Sequence, residues 1–264
     1  MRAIVTLTTD FGLHDPFVAV MKGMILRRAP DTAIVDVTHD VAPFRPAEAG
    51  FWLARIAPFF PDGTVHLAVV DPGVGTARGL VATACDGQIF LAPDNGLLGA
   101  IAARPGARAL RIAPATFEAI GAGALGTTFH GRDLLAPLAA ELAAGRLPFA
   151  SLGDACVPVR EPGLPPARPE EGGLAGVVVT VDRFGNLFTN IDAAMLDPAR
   201  DWCVVAAGRE AMRVAAYGDA AAGVLVALVN AWGLVEIAES GGQAAARLGV
   251  GRGDPVFLRY FRAG

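Results

Sequence analysis

The sequence contains few cysteines, and they are not arranged as a metal or disulfide framework. The three cysteines of the 264-residue chain are Cys85, Cys156 and Cys203. An odd number at such long spacings excludes a zinc knuckle and a disulfide scaffold, and it favours a reducing compartment. We therefore expect a cytoplasmic protein without a metal site.

Excess positive charge and long apolar runs are also missing. The formal net charge is -4, and the basic residues form no stripe, which excludes the surface that a nucleic-acid backbone requires. No apolar run approaches the roughly 18 residues of a membrane span. The apolar start reaches the polar residues 8–10 too early for a signal peptide. We expect neither a nucleic-acid partner nor a membrane partner.

Apolar residues, in contrast, are abundant. The composition is 53% hydrophobic and 18% charged, which excludes intrinsic disorder. A chain of this length buries about 70% of its unfolded surface when it folds. The sequence therefore predicts an ordered protein with a sizeable core, built as one large domain or two small ones.

Strand-like and helix-like segments alternate in the first part of the chain. The predicted strands are residues 3–8, 33–37, 64–70, 80–84 and 88–92, and the predicted helices are residues 16–28, 46–57 and 132–144. Alternating strands and helices require crossover connections. We predict an α/β domain with a largely parallel sheet over residues 1–156.

The second part of the chain has a different pattern. Residues 157–175 are rich in proline and cannot hold a helix, which is typical of a linker. Short strand-like runs follow at residues 176–181, 202–206, 224–229, 234–238 and 255–260. Turn residues separate them, with little helical periodicity. We predict a small, all-β, barrel-like domain over residues 176–264.

Acidic residues follow four of the predicted strands, namely Asp10, Asp40, Asp71 and Asp94. Ligands of a parallel sheet bind beyond the carboxyl ends of its strands. Aspartate is a common turn former, so one such residue has little meaning. Four together predict a functional site at this edge of the sheet.

The glycine-rich segment 71–79, DPGVGTARG, is not a phosphate-binding loop. It lacks the Gly-Lys-Ser/Thr of a P-loop, and Arg78 stands where a dinucleotide fingerprint has its third glycine. Its glycines instead allow a tight turn that brings Asp71 and Arg78 together as a bidentate pair. Such a pair serves either a catalytic site or the bracing of the loop.

His130 precedes the predicted helix that starts near residue 132. A histidine at such a junction is a capable proton acceptor near neutral pH, and a helix N-terminus favours its neutral form. A purely structural role is the alternative. His39, next to Asp40, is a candidate metal ligand, although no histidine pair has the spacing of a zinc helix.

In the predicted second domain, residues 181–190 read as a strand, a turn and a polar cluster, which is also the pattern of a simple β-hairpin. Residues 230–233 and 241–244 bracket a further strand and are typical of turns. These segments alone indicate no particular chemistry.

Several motifs together resemble one family. They are TTDFG (8–12), MKG (21–23), DVTH (36–39), FPDGTVHLAVVDPGVGTAR (60–78), APDNGLL (92–98), TFHGRD (128–133) and FGNLFTNI (184–191). In this order they resemble the S-adenosylmethionine (SAM) hydrolases, also called the SAM hydroxide adenosyltransferase family, which is related to the bacterial fluorinase and chlorinase. The resemblance covers nearly the whole chain.

The resemblance implies a fold, an assembly and a reaction. The fold is an α/β domain followed by a β-barrel-like domain. The assembly is a homotrimer with active sites between the first domain of one subunit and the second domain of its neighbour. In the reaction, water displaces methionine from C5′ of SAM, which is a substrate, so no cofactor is expected.

The resemblance also implies the site residues. The catalytic positions are Asp71, Arg78 and His130. Asp10 matches the carboxylate that binds the ribose hydroxyls, Phe44 and Thr128 match residues near C5′, and Phe129 is a further substrate-binding position. The remaining substrate-binding positions are Asp15 and Asp182 for methionine, Asn186, Phe184 and Tyr217 for adenine, and Asn230 and Ala244 as further contacts.

The chain departs from the family at one place and leaves two alternatives open. Relatives often have Asn-Ser where this chain has Asn230 and Ala231, so a hydroxyl contact to methionine is missing. One alternative is halide-dependent attack on the same carbon, against which Asp71 and His130 argue. The other is a protein that binds an adenosyl ligand without turnover.

Overall fold

The computed structural model describes residues 2–122, 127–159 and 165–261. The chain divides into two compact units, residues 1–163 and 164–264. Residues 160–164 of the predicted linker lie outside the described residues, as do residue 1 of the first predicted domain and residues 262–264 of the second.

A mixed sheet forms the centre of the first unit. Its strands are β1 Ile4–Thr9, β2 Ala33–Thr38, β3 Val65–Val69, β4 Leu80–Cys85, β5 Gln88–Pro93, β6 Arg108–Ile112 and β7 Gly153–Ala155. Their order is β2-β1-β3-β5-β4-β6-β7. Strands β2, β1, β3 and β5 are parallel, and β4, β6 and β7 extend the sheet in antiparallel pairs. The predicted α/β domain with a largely parallel sheet is confirmed.

The helices of the first unit pack on this sheet. They are α1 Phe17–Arg28, α2 Pro46–Ile56, α3 Gly99–Ala102, α4 Pro114–Ala119 and α5 Ala136–Ala143. Helix α1 buries Val18, Met21 and Ile25, which lie on one face at helical spacing. Among the residues that the structure describes, no helix combines the length and the apolar composition needed to cross a membrane.

The helix predicted from residue 132 begins differently in the structure. A turn of π-helix, Gly131–Leu135, precedes α5. The Ala136 amide bonds to the Gly131 carbonyl five residues earlier, and the next residue, Pro137, has no amide hydrogen to continue a regular helix. This wide turn directly follows His130, and such turns are frequent at functional sites.

The second unit is a closed barrel. Its strands are β8 Arg168–Glu170, β9 Gly173–Val181, β10 Leu187–Asp192, β11 Trp202–Ala206, β12 Arg209–Arg213, β13 Leu225–Val229, β14 Leu234–Glu239 and β15 Pro255–Tyr260. They pair in the order β10-β14-β13-β12-β11-β15-β9-β8, and β9 also pairs with β10, which closes the ring. Within residues 165–261 all pairs of neighbours are antiparallel except β12 and β13. The predicted all-β, barrel-like domain is confirmed.

The strand predicted to begin at residue 176 begins earlier. Strand β9 starts at Gly173, and β8 also lies among residues predicted as linker. A Cβ at position 173 would lie 1.8 Å from the Leu258 carbonyl oxygen, so only glycine allows β9 and β15 to pair there. The barrel is filled by apolar side chains such as Trp202, Leu187 and Leu258. A short helix, α6 Ala244–Leu248, packs beside β14.

Candidate active site

A cavity of about 660 Å³ lies in the first unit, beyond the carboxyl ends of β1 and β3. Its lining residues are Asp10, Phe11, Phe17, Pro43, Phe44, Val69, Asp71, Val74, Thr128, Phe129, His130, Gly131 and Arg132. The set contains six of the predicted site residues: Asp10, Phe44, Asp71, Thr128, Phe129 and His130. Of the four acids that follow predicted strands, Asp10 and Asp71 line the cavity, and Asp40 and Asp94 do not.

Asp71, Arg78 and His130 form one hydrogen-bonded chain. Arg78 Nε donates to Asp71 Oδ1 at 2.9 Å, and Arg78 Nη2 donates to Asp71 Oδ2. Arg78 Nη2 also lies 2.8 Å from His130 Nδ1. The Asp71 and Arg78 side chains are only 6% and 10% exposed. The predicted bidentate pair is confirmed, and the imidazole is bound to it.

The loop between β3 and β4 makes this pairing possible. Gly75 has φ +81°, a left-handed conformation that glycine adopts without strain. Thr76 Oγ1 donates to the Gly73 carbonyl at 2.7 Å, and the Val74 amide bonds to the Asp71 carbonyl. These bonds close the loop tightly, so that Arg78 returns to Asp71.

The hydrogen bond to Arg78 determines the protonation of His130. A guanidinium can only donate, so Nδ1 accepts, and the ring hydrogen of neutral His130 is on Nε2. Partial burial lowers the pKa of His130, and the neighbouring Arg78 charge lowers it further. His130 is therefore neutral near pH 7 and presents an N–H donor.

Asp10 lies in the same cavity, and it is bound to a strained residue. The Phe44 amide donates to Asp10 Oδ2 at 3.2 Å. Phe44 has φ +62°, which is costly for a residue with a side chain, and its side chain is exposed. Burial raises the pKa of Asp10, and the charge of Asp71 raises it further. Asp10 and Asp71 therefore line the same cavity, and the charge of Asp71 disfavours ionisation of Asp10.

An aromatic cluster forms part of the wall. The ring centroids of Phe11, Phe17 and Phe129 lie 5.5–5.8 Å apart with tilted and edge-to-face contacts. The Arg132 guanidinium lies 5.0 Å from the Phe129 ring centroid and bonds to buried Asp133. Phe11, Phe17 and Arg132 are lining residues that the sequence did not predict, although Phe11 and Arg132 belong to the TTDFG and TFHGRD motifs.

Other predicted positions lie away from this cavity. Asp15 is exposed, does not line the cavity, and has His14 at 4.0 Å. Asp94 is buried and accepts the Val159 amide at 2.7 Å, which is a structural contact. His39 bonds to protein groups rather than to a metal-ligand set. Across the described ranges, no group of three His, Cys, Asp or Glu side chains is placed to hold a metal ion.

The second unit contains its own cluster of predicted residues. Asp182 Oδ1 accepts the amides of Phe184 and Asn186, each at 2.9 Å, and Asp182 Oδ2 accepts Asn186 Nδ2 at 3.1 Å. This turn joins β9 to β10 as a hairpin. It presents the Phe184 ring to solvent, 73% exposed.

Glu236 links two further predicted residues, and the sequence analysis missed it. Tyr217 Oη donates to Glu236 Oε1 at 2.7 Å, and Asn230 Nδ2 donates to Glu236 Oε2 at 2.9 Å. Glu236 is fully buried, which raises its pKa, and the charge of Asp182 adds to the effect. No local signal separates a strand glutamate that faces inward from one that faces solvent.

The remaining predicted residue of the second unit is Ala244. It is fully buried in the barrel core, so within the second unit neither its side chain nor its backbone is open to a ligand. In the 230–233 turn, Asn230 Oδ1 accepts the amides of Trp232 and Leu234. These bonds fix the side-chain amide of Asn230 with its NH₂ group toward Glu236.

Comparison with known proteins gives the same family for both units. The model of the SAM hydroxide adenosyltransferase N-terminal domain matches residues 5–153, and that of the C-terminal domain matches residues 176–257. The (R)-S-adenosyl-L-methionine hydrolase of Salinispora tropica is 42% identical over 253 residues, 95% of each chain. The enzyme of the same name from Thermus thermophilus is 41% identical over 98% of this chain and 100% of its own.

More distant relatives and solved structures extend this picture. A fluorinase of an Actinoplanes species is 31% identical over 74% of each chain. The crystal structure of an uncharacterized conserved protein from Thermotoga maritima has a TM-score of 0.88 and 35% identity, and it covers 97% of this chain and 99% of its own. Similarity is thus greater to proteins named as hydrolases than to the fluorinase.

Proposed function

Since this chain belongs to the SAM hydroxide adenosyltransferase family, we propose that it hydrolyses S-adenosyl-L-methionine to adenosine and L-methionine. Water attacks C5′, the C5′–S bond breaks with its electron pair on sulfur, and one proton is released. The observation that carries the proposal is the Asp71–Arg78–His130 chain, which reaches one cavity together with Asp10.

The proposed reaction matches the groups in the cavity. A sulfonium leaves as a neutral thioether, so no acid is needed to protonate the leaving group. The enzyme has to hold a water in line with the C5′–S bond and accept its proton. A neutral imidazole and a carboxylate, both fixed by one guanidinium, are suited to these two tasks.

We assign the proton acceptor to Asp71 and the orientation of the water to His130. Arg78 occupies Nδ1 of His130, and Nε2 carries the ring hydrogen, so the imidazole donates to the water oxygen. Each Asp71 oxygen accepts one bond from Arg78 and keeps a second lone pair. The carboxylate can therefore take the proton without leaving Arg78.

The substrate contacts in this proposal follow the family resemblance. Asp10 binds the ribose hydroxyls, Phe44 and Thr128 line the region of C5′, and Phe129 is a further substrate contact. The contacts proposed for methionine are Asp15 and Asp182, and those proposed for adenine are Asn186, Phe184 and Tyr217. Asn230 and Ala244 are further substrate-binding positions. The exposed rings of Phe44 and Phe184 support a binding role, because each is free to stack on a ligand.

Incubation with SAM and chromatography of the products tests the function. Hydrolysis gives adenosine and methionine with or without added halide. A product that forms only with chloride or fluoride, and that carries the halogen at C5′, would make the protein a halogenase. Unchanged SAM in the presence of tight binding would make it a binding protein without turnover.

Replacing Asp10 with alanine should weaken substrate binding. Loss of a charged hydrogen-bond partner costs about 1.5 to 3 kcal/mol, so the Kd for SAM should rise roughly ten- to hundredfold. Isothermal calorimetry measures it directly. Asp40→Ala is the matched control, because Asp40 follows the neighbouring strand β2 and does not line the cavity. Equal affinities in both variants would remove Asp10 from the binding site.

We further propose that the protein is a cytoplasmic homotrimer with active sites at its subunit interfaces. The family resemblance suggests the assembly, and the free thiols of Cys85, Cys156 and Cys203 support a reducing compartment. Sedimentation should give three times the 27.2 kDa of one chain. A fully active monomer would contradict active sites at subunit interfaces. Cell fractionation that places the protein in an oxidising compartment would contradict a cytoplasmic location.

A further inference from the structure

A chain of polar groups, partly exposed at Lys22 and Asp36 and buried at His39 and Thr9, runs to the loop that carries Asp10. Lys22 Nζ on α1 lies 2.6 Å from Asp36 Oδ2 on β2, and His39 Nε2 lies 3.1 Å from Asp36 Oδ1. His39 Nδ1 lies 2.9 Å from Thr9 Oγ1, and the Phe11 amide donates to Thr9 Oγ1 at 3.2 Å. The chain thus connects a helix and two strands to residues 9–11.

Each hydrogen bond in this chain has a defined direction. Asp36 Oδ2 accepts from Lys22, and Asp36 Oδ1 lies 3.1 Å from His39 Nε2, a charge contact that favours the ring hydrogen on Nε2 and leaves Nδ1 as the acceptor. The Thr9 hydroxyl therefore donates to His39. Lys22 lowers the pKa of Asp36 against the opposing effect of burial, so Asp36 is charged at neutral pH.

The order carboxylate, imidazole, hydroxyl is also that of a nucleophilic triad. Here it cannot act as one, because Thr9 is fully buried and its oxygen already receives the Phe11 amide. His39 itself is only 4% exposed. The three side chains therefore hold the protein backbone in place and do not react with a substrate.

Backbone hydrogen bonds connect the same two segments of the chain. The Gly12 amide donates to the His39 carbonyl at 2.8 Å, and the Val41 amide donates to the Thr9 carbonyl. His39 thus holds the Asp10 loop on both sides, through its side chain at Thr9 and through its carbonyl at Gly12. Phe44, whose amide bonds to Asp10, follows a few residues after Val41.

We propose that His39 is a positioning residue for substrate binding: held by Asp36, it fixes Thr9 and thereby orients Asp10 toward the ribose. The proposal rests on the proposed function for its ligand. It predicts that the Thr9 hydroxyl affects affinity as well as stability.

The same strand offers a matched control for the test. Thr6 Oγ1 lies 2.8 Å from His66 Nδ1, so β1 carries two buried threonine–histidine pairs, of which only that of Thr9 adjoins the Asp10 loop. Thr9→Val and Thr6→Val each remove one hydroxyl and keep the side-chain shape. Thr9→Ser keeps the hydroxyl.

The experiment measures KM and kcat for SAM, the melting temperature, and amide hydrogen exchange of residues 10–12. We expect Thr9→Val to raise KM at least about tenfold, with a smaller change in kcat, and to speed exchange at residues 10–12. Thr9→Ser should restore both quantities. Thr6→Val should lower the melting temperature but leave KM and this exchange unchanged.

Two results would overturn the proposal, and they are separable from failure of the proposed function. If Thr9→Val lowers the melting temperature as Thr6→Val does and leaves KM and exchange unchanged, His39 is only structural. If the unaltered protein neither binds nor hydrolyses SAM, the proposed function fails, and exchange alone decides: faster exchange in Thr9→Val supports loop positioning, and unchanged exchange refutes it.

Discussion

Alanine in place of Asp71 or His130 is expected to lower kcat for SAM hydrolysis at least about a hundredfold, with weaker effects on binding. This factor corresponds to about 2.7 kcal/mol of lost transition-state stabilisation. Asp71→Ala removes the assigned proton acceptor and leaves Arg78 without its carboxylate partner. His130→Ala removes the donor that orients the water. Single-turnover kinetics with SAM measure the effect.

A second variant at position 130 distinguishes water orientation from proton acceptance. Glutamine has an oxygen that can accept from Arg78 and an NH₂ group that can donate to water. We therefore expect His130→Gln to retain activity within about tenfold of the unaltered protein. If glutamine is as damaging as alanine, His130 is the proton acceptor. Near-normal turnover in either alanine variant removes that residue from the mechanism.

Acid should destabilise the first unit through His66. This side chain is fully buried, stacks on Phe90, and bonds through its two ring nitrogens to Thr6 and Gln88. Burial lowers the pKa of His66 to about 4, against 6.5 for an ordinary histidine. The unfolded chain therefore binds a proton below pH 6.5 that the folded chain does not bind until about pH 4.

The free energy of unfolding should fall by about 3 kcal/mol as the pH drops through this range, and it should level off below pH 4. Urea unfolding at pH 7 and at pH 4 measures the loss. His66→Gln cannot titrate, so its loss over the same range should be smaller by that amount. Asp10 and Glu236 contribute in the opposite direction, because their pKa values are raised in the folded protein. These contributions are present in both proteins and cancel when the two losses are subtracted. Parallel losses in both proteins would contradict the prediction.

The sequence predicted those parts of the fold that local patterns determine. Strands β1 and β3, buried on both faces, were predictable because apolar and β-branched residues dominate both runs. Strand β6 was missed because arginines interrupt it and its strand character comes from pairing with β4. Strand β12, also arginine-rich, was missed for the same reason.

In the candidate site, contacts between residues close in sequence were likewise predictable, and contacts between distant residues were not. Asp71 and Arg78 are close in sequence, and the glycines between them predicted the turn that pairs them. The bonds of Glu236 to Tyr217 and of His39 to Thr9 join residues far apart in the chain. Such pairs depend on how strands are placed beside each other, which local composition does not encode.

The pairing of the barrel strands has a topological consequence. Strands β9–β15 form the ring, and β8 pairs with β9 outside it. Seven strands cannot alternate in direction all the way round, so one neighbouring pair has to run the same way, and here it is β12 and β13. Two strands of like direction cannot be joined by a tight hairpin and need a longer return path. That path is the segment between Arg213 and Leu225, and Tyr217 lies on it. Because the ring has an odd number of strands, a long segment connects β12 to β13, and Tyr217 reaches Glu236 from that segment.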